Sequence, residues 1–263
     1  MANSITKLKT NLWQGRTILF ALLVAAVLGN MIYFLPQNFW FWVVVFFCWL
    51  FLAVFWWQRK LDWIFWRELL EVFIFTLAFL GISIFAVRSL MIFELVLAIY
   101  LWALWYVALA FRALRQEGSF RVKDLARLYW GELVAFFFAL VGILSATVFL
   151  GLGMWVAMLL LALLTAVIFY LFADRNHLEK KFFWFYLSLL LVILFEFLFV
   201  VFPWQRGVFF KAFLLFIVYF LYVEFIRHYL AGNLTFRLVL AQLFFALVLL
   251  LALFLFDFVF VLI

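Results

Sequence analysis

Long apolar runs, separated by a few polar breaks, make up almost the whole chain. The longest polar break covers residues 112–127 (RALRQEGSFRVKDLAR), and a second covers residues 174–181 (DRNHLEKK). The apolar runs are about 20 residues long, which suits a helix that crosses a hydrocarbon layer about 30 Å thick. Polar and apolar residues do not alternate with the period of a strand. The pattern therefore predicts an all-α chain.

Turn signals divide the apolar runs into about nine predicted transmembrane spans. The spans cover residues 17–35, 38–57, 64–87, 90–111, 128–149, 153–172, 182–202, 208–226 and 238–262. Residues 1–16 carry basic residues beside apolar ones at helical spacing, which predicts an amphipathic interfacial segment. The expected organisation is this N-terminus (1–16), a first membrane block of spans 1–4 (17–111), a basic cytoplasmic loop (112–127) and a second membrane block of spans 5–9 (128–263).

The composition indicates a membrane protein. Hydrophobic residues make up 73% of the 263 residues, charged residues make up 12%, and the mean hydropathy is +1.34. Soluble domains are about half apolar and about a quarter charged. A water-soluble fold of this length could not cover so much apolar surface. The predicted fold is a polytopic integral membrane helix bundle.

The basic residues predict the orientation of the spans. With the N-terminus in the cytoplasm, 16 of the 19 Lys and Arg residues lie on the cytoplasmic side. Only Arg88, Arg206 and Lys211 lie outside, which is the asymmetry of the positive-inside rule. We expect a cell-membrane protein with a cytoplasmic N-terminus and an outside C-terminus. The net charge of +7 then reflects topology rather than a nucleic-acid partner.

The basic loop predicts contact with lipid headgroups. Its basic residues are Arg112, Arg115, Arg121, Lys123 and Arg127. Basic side chains next to the cytoplasmic end of a span attract anionic headgroups. The lipid bilayer, including its anionic lipids, is therefore the expected partner of this loop, and other membrane proteins are a further expected partner of the chain.

Small residues at a spacing of four predict which spans pack in the bundle interior, because helices in lipid associate by close contact. Span 5 has such a row, which begins with Gly131, Ala135 and Ala139, and span 6 pairs Gly153 with Ala157. Spans 2, 7 and 9 are rich in Phe and Leu, so more of their surface is expected to face lipid.

Ionisable residues inside spans are the candidates for chemistry. Three acids, Glu196, Asp257 and Glu94, are predicted to share the outer leaflet with the three outside cations Arg88, Arg206 and Lys211. This intramembrane polar cluster has two interpretations: salt bridges that orient the helices, or a proton or cation site. Glu71, Glu132 and Glu224 each have a basic residue nearby in sequence, so local ion pairs are expected there.

No catalytic or metal-binding motif occurs in the sequence, and no cofactor is expected. Cys48 is the only cysteine, so it is interpreted as a small buried apolar residue. His177 and His228 lie in predicted turns without the spacing of a metal site. Three functions stay open: a non-catalytic membrane subunit or scaffold, a transporter of a small solute or ion that uses the outer-leaflet carboxylates, and an enzyme for a lipid-linked substrate at the cytoplasmic face, near residues 174–177.

Overall fold

A computed structural model describes helical segments that account for more than half of the chain. The described residues are 48, 62–86, 99–100, 102–104, 106–107, 110–111, 114, 122–149, 151, 153–176, 178–204 and 207–262. None of these residues belongs to a β-strand. The predicted N-terminal segment, spans 1 and 2 apart from Cys48, and most of span 4 lie outside the described residues. Cys48 itself is exposed rather than buried.

Six long helices form the described part of the chain. They are α1 (Trp63–Ala86), α2 (Val122–Phe149), α3 (Met154–Arg175), α4 (Lys180–Val201), α5 (Val208–Leu230) and α6 (Phe236–Leu262). These helices correspond to predicted spans 3, 5, 6, 7, 8 and 9. Apart from the start of α2, every end lies within four residues of its predicted position.

Helix α2 begins at Val122, six residues before the start of predicted span 5. The residues concerned, VKDLAR, belong to the predicted basic loop because they are polar. They contain neither Gly nor Pro, and several of them are good helix formers. The helix therefore continues beyond the apolar stretch, and polarity marked the end of that stretch rather than the end of the helix.

Specific residues fix the ends of the helices. The side chain of Asp62 accepts a hydrogen bond from the Phe65 N–H group at 2.9 Å and so caps α1. Thr235 caps α6 in the same way. Gly151, between α2 and α3, and Gly232, after α5, have φ angles of 63° and 66°. Only glycine adopts this left-handed conformation without strain, so both residues support a sharp chain reversal.

Four of the helices are long and apolar enough to cross a membrane: residues Ala126–Val148 of α2, and the whole of α3, α4 and α5. The exposed surface of the described residues is also apolar, and it includes Trp155, Trp184 and Phe236. The buried share of the apolar part of the helix is 56% in α2 and 50% in α3, but only 28% in α4. This order agrees with the interior positions predicted for spans 5 and 6.

The chain divides into two compact units. Unit 1 consists of Met1–Phe79 and Phe85–Glu132, and unit 2 consists of Leu80–Ile84 and Leu133–Ile263. In unit 1, α1 and the first part of α2 approach closely at Gly131. A Cβ atom at that position would lie only 2.8 Å from Cζ of Phe75. A side chain at this position would require the Phe75 ring to move, which agrees with the close helix contact that the row of small residues in span 5 predicts.

In unit 2, helices α3, α4, α5 and α6 pack against one another in sequence order. The Tyr222 hydroxyl of α5 donates a hydrogen bond of 2.7 Å to the Tyr186 carbonyl oxygen of α4. Phe136 of α2 lies against Tyr219 of α5, with ring centroids 4.0 Å apart. Both rings are buried. Aromatic stacking and this hydrogen bond therefore join the helices of unit 2.

Candidate functional site

Four ionisable side chains are buried in unit 1. Arg67, Glu68 and Glu71 belong to the first turns of α1, and Glu132 belongs to α2. Glu71 lies roughly 12 Å along the helix axis from the start of α1. A buried ionisable residue among apolar helices is a functional candidate, because apolar surroundings do not solvate a charge. These four residues, which we call the buried charge cluster, are the first candidate site.

The helix contact at Gly131 brings the two parts of the buried charge cluster together. Phe75 lies four residues after Glu71, on the same face of α1. Its ring meets α2 at Gly131, the residue before Glu132. The segment that carries Glu132 therefore packs against the segment that carries Glu71. Among the described residues, Arg67 is the only buried basic residue. Buried acidic residues therefore outnumber buried basic ones.

A hydroxyl pair lies about one turn beyond Glu71 in unit 1. Oγ1 of Thr76 lies 2.8 Å from the hydroxyl oxygen of Tyr100 and 2.7 Å from the carbonyl oxygen of Val72. The single proton of Thr76 is donated to that carbonyl, so the Tyr100 hydroxyl must be the donor between the two side chains. The Tyr100 ring also stacks on Phe79, with centroids 4.5 Å apart. Tyr100 is thereby fixed in one orientation.

A second polar group closes the end of α5 in unit 2. Glu224 Oε2 lies 2.6 Å from an Arg227 guanidinium nitrogen and 3.5 Å from Nε2 of His228. The other ring nitrogen of His228 lies 3.1 Å from Oδ1 of Asn233. The ion pair predicted for Glu224 is therefore confirmed. Arg227 and His228 compensate the charge of the buried Glu224 carboxylate at the helix end, and the contact of His228 with Asn233 stabilises the turn that follows.

One residue of the polar segment on which the enzyme hypothesis depends, Asn176, ends α3. Asn176 donates a side-chain hydrogen bond of 2.8 Å to the carbonyl oxygen of Phe172. Asp174 and Arg175 are half-buried in the last turn of the helix, and His177 lies outside the described residues. The hydrogen bond of Asn176 satisfies a carbonyl group in the last turn of the helix.

The predicted outer-leaflet cluster is only partly described. Glu196 is exposed on α4. The Lys211 amino group donates a hydrogen bond of 2.8 Å to the Phe202 carbonyl oxygen and lies over the Phe202 ring, 5.9 Å from its centroid. Within the described residues no ion pair joins Lys211 to Glu196. Glu94, Arg88, Arg206 and the side chain of Asp257 lie outside the described residues.

Of the predicted headgroup-binding residues, Arg127 is the one whose side chain the structure describes. It is exposed near the start of α2, and its guanidinium carbon lies 5.6 Å from the centroid of the Tyr106 ring. This distance is typical of a cation–π interaction. Arg112, Arg115, Arg121 and the side chain of Lys123 lie outside the described residues.

Sequence reasoning did not identify two features of the candidate site. Glu68 is buried, as Glu71 is, but the sequence pattern does not identify it as a buried residue. The available signal was the spacing of Glu68 and Glu71, which places both on one face of α1. The pairing of Thr76 with Tyr100 had no sequence signal, because the two residues lie 24 positions apart.

Neither a metal site nor a similarity to known proteins assigns a function to the described residues. Within the part of the chain that the structure describes, no group of three or more His, Cys, Asp and Glu residues could hold a metal ion. The chain matches no protein-family model, no curated protein and no solved structure.

Proposed function

We propose that the chain is a multi-pass membrane protein that acts as a non-catalytic subunit or scaffold for other membrane proteins. The observation that carries this proposal is the surface of α4. Beyond the two exposed lysines in its first turn, Lys180 and Lys181, most of its exposed residues are large and apolar, and Glu196 is its one exposed carboxylate. Lipid is a good environment for the apolar side chains and a poor one for the carboxylate. A surface of this kind is better suited to contact with protein.

A subunit stabilises the proteins that it assembles with, so its absence is expected to lower their amounts. We expect deletion of the gene to reduce a small set of other integral membrane proteins, measured by quantitative proteomics of purified membranes. Expression of the wild-type chain in the deletion strain should restore them. An unchanged membrane proteome, after normal expression of the chain has been verified in the parent strain, would contradict the proposal.

The basic loop at residues 112–127 is proposed to anchor the same protein to anionic headgroups on the cytoplasmic side. The exposed position of Arg127 at the start of α2 supports this. Each basic residue near an anionic surface contributes about 1 kcal/mol. Replacing all five basic residues by Gln should weaken the preference of the purified protein for phosphatidylserine over phosphatidylcholine in lipid-exchange measurements. An unchanged preference would assign another role to the loop.

A second candidate function, an ion-coupled transporter, is favoured by the buried charge cluster. Buried carboxylates in membrane helices often belong to proton or cation pathways, and Glu71 and Glu132 come from two helices in contact. We expect a transporter to move protons into vesicles in response to an ion gradient, and Glu71→Gln to abolish this movement without loss of helix content. Glu179→Gln, at an exposed carboxylate before α4, is the matched control.

A further inference from the structure

Glu196 lies in the middle of a continuous apolar stripe on α4. The stripe consists of the exposed residues Phe185, Leu189, Val192, Glu196, Phe199 and Val200. From Phe185 to Phe199 the spacing is three or four residues, about one helical turn, and Val200 borders Phe199, so these side chains share one face. The opposite face, which includes Leu190, Leu194 and Leu198, is buried against the rest of unit 2. The exposed stripe therefore lies on one face of α4 and contains a single ionisable residue.

If α4 is a membrane span, as proposed, Glu196 lies at the depth of the hydrocarbon layer. It lies five residues before the last residue of α4, which is roughly 8 Å along the helix axis. Helical side chains incline toward the N-terminal end of the helix, so this carboxylate points away from the nearer end. Phe199 and Val200 also lie between it and that end on the same face. The short side chain of Glu196 is thus poorly placed to reach the membrane surface.

The described part of the chain supplies no partner for this carboxylate. No hydrogen bond or ion pair within it involves Glu196. The first basic residue of the next helix, Lys211, donates its hydrogen bond to the Phe202 carbonyl oxygen. A carboxylate in hydrocarbon is stabilised most directly by a cation at the same depth. Charge complementarity therefore specifies what should cover the stripe.

We propose that the α4 stripe binds a transmembrane helix of a partner protein that carries a lysine or arginine at the depth of Glu196. The inference rests on the proposed subunit function and adds the chemistry of the partner. Apolar side chains of the stripe pack against that helix, and the ion pair fixes its depth and rotation. Such a pair gives specificity, because a helix without the cation leaves the carboxylate buried without compensation.

The proposal can be tested with the full-length chain in phosphatidylcholine vesicles and two synthetic peptides. One peptide is a leucine-rich transmembrane helix of about 22 residues with a single lysine roughly 8 Å from one end. The other has leucine at that position. A dye on a cysteine introduced by Ala231→Cys, in a Cys48→Ser background, reports peptide association by energy transfer.

We expect the wild-type chain to bind the lysine peptide about tenfold more tightly than the leucine peptide, as expected for a moderately strong polar contact between membrane helices. Glu196→Gln should remove this preference, whereas the control Glu179→Gln, on an exposed carboxylate of the same segment, should retain it. Circular dichroism and gel filtration verify that both variants are folded. Equal binding of the two peptides by the wild type would overturn the proposal.

Three further outcomes separate this inference from the proposed function. The chain could instead associate with itself, and Glu196→Gln could abolish that self-association. The partner would then be a second copy of the chain rather than a basic helix, which would overturn the inference. Retention of a native membrane partner by the Glu196→Gln chain would also overturn it, while the subunit function would stand. A third outcome is that the chain prefers the lysine peptide but deletion of its gene leaves the membrane proteome unchanged. This would support the inference and contradict the proposed function.

Discussion

Glu224 and Arg227 form an ion pair of 2.6 Å, one turn apart, in the last turns of α5. The Glu224 side chain is 4% exposed and the Arg227 side chain is 39% exposed, so the carboxylate is the member that needs compensation. His228 approaches the same oxygen only to 3.5 Å. The short contact to arginine, and not the longer one to histidine, therefore carries most of the stabilisation.

This geometry predicts unequal effects of two substitutions. Arg227→Met should lower the free energy of unfolding by about 1.5–3 kcal/mol, the range for a hydrogen bond to a charged group. His228→Ala should have a smaller effect, because the longer contact contributes less. Unfolding of the purified protein in mixed micelles, followed by circular dichroism, measures both values. An equal or larger loss for His228→Ala would contradict the assignment.

The direction of the hydrogen bond between Tyr100 and Thr76 predicts an asymmetry. Tyr100→Phe removes the donor and leaves Thr76 bonded to the Val72 carbonyl oxygen, so the loss should be about 1 kcal/mol. Thr76→Val leaves the buried Tyr100 hydroxyl without its acceptor and should cost about 1–3 kcal/mol.

The double variant of Tyr100 and Thr76 is the control for this asymmetry. With both hydroxyls absent, it should be more stable than Thr76→Val alone, because no buried donor is left unsatisfied. The same unfolding measurement applies. Additive losses in the double variant would show that the two hydroxyls do not interact.

The close approach of Gly131 and Phe75 predicts that Gly131→Ala is destabilising. The new Cβ atom would displace the Phe75 ring, with a loss of about 1–3 kcal/mol from overpacking. Phe75→Leu should recover part of that loss in the double variant. The control is Gly153→Ala, since Gly153 has a φ angle of −66° and no atom within 4 Å of its added Cβ. Similar losses at both glycines would contradict the contact.

The bounds of the helices were predictable because length and hydropathy are set by the membrane rather than by neighbouring helices. Apolar runs of the right length, and turn residues such as Gly151, locate the spans without knowledge of the packing. The pairing of Glu224 with Arg227 was predictable for a similar reason, since residues three positions apart on one helix are adjacent in any helix.

The packing faces were harder to predict, because lipid and the bundle interior are both apolar. The rule that places hydrophobic residues inside therefore does not distinguish the two faces of a membrane helix. Glu196 illustrates this: it is exposed on α4, whereas Glu68, which the sequence pattern does not identify as buried, is buried in α1. The contact between Thr76 and Tyr100 depends on which helices are neighbours, and a single sequence does not contain that information.

The proposed orientation predicts that the loop at residues 112–127 is cytoplasmic and that the C-terminus is outside, as the asymmetry of basic residues requires. A reporter that is active only in the cytoplasm should be active when it is fused after Gly118 and inactive when it is fused after Ile263. A reporter that is active only outside should give the opposite pattern. Cytoplasmic activity after Ile263, or its absence after Gly118, would contradict the orientation.

The native mass of the protein tests most directly whether it is a subunit of a larger membrane assembly. The chain is extracted from its own membranes together with the surrounding lipid by an amphipathic polymer, and the protein mass of the particles is measured by native mass spectrometry. We predict a mass well above the 31.4 kDa of one chain, with a different integral membrane protein present in a fixed ratio. Particles that contain the 31.4 kDa chain alone would contradict the proposed function.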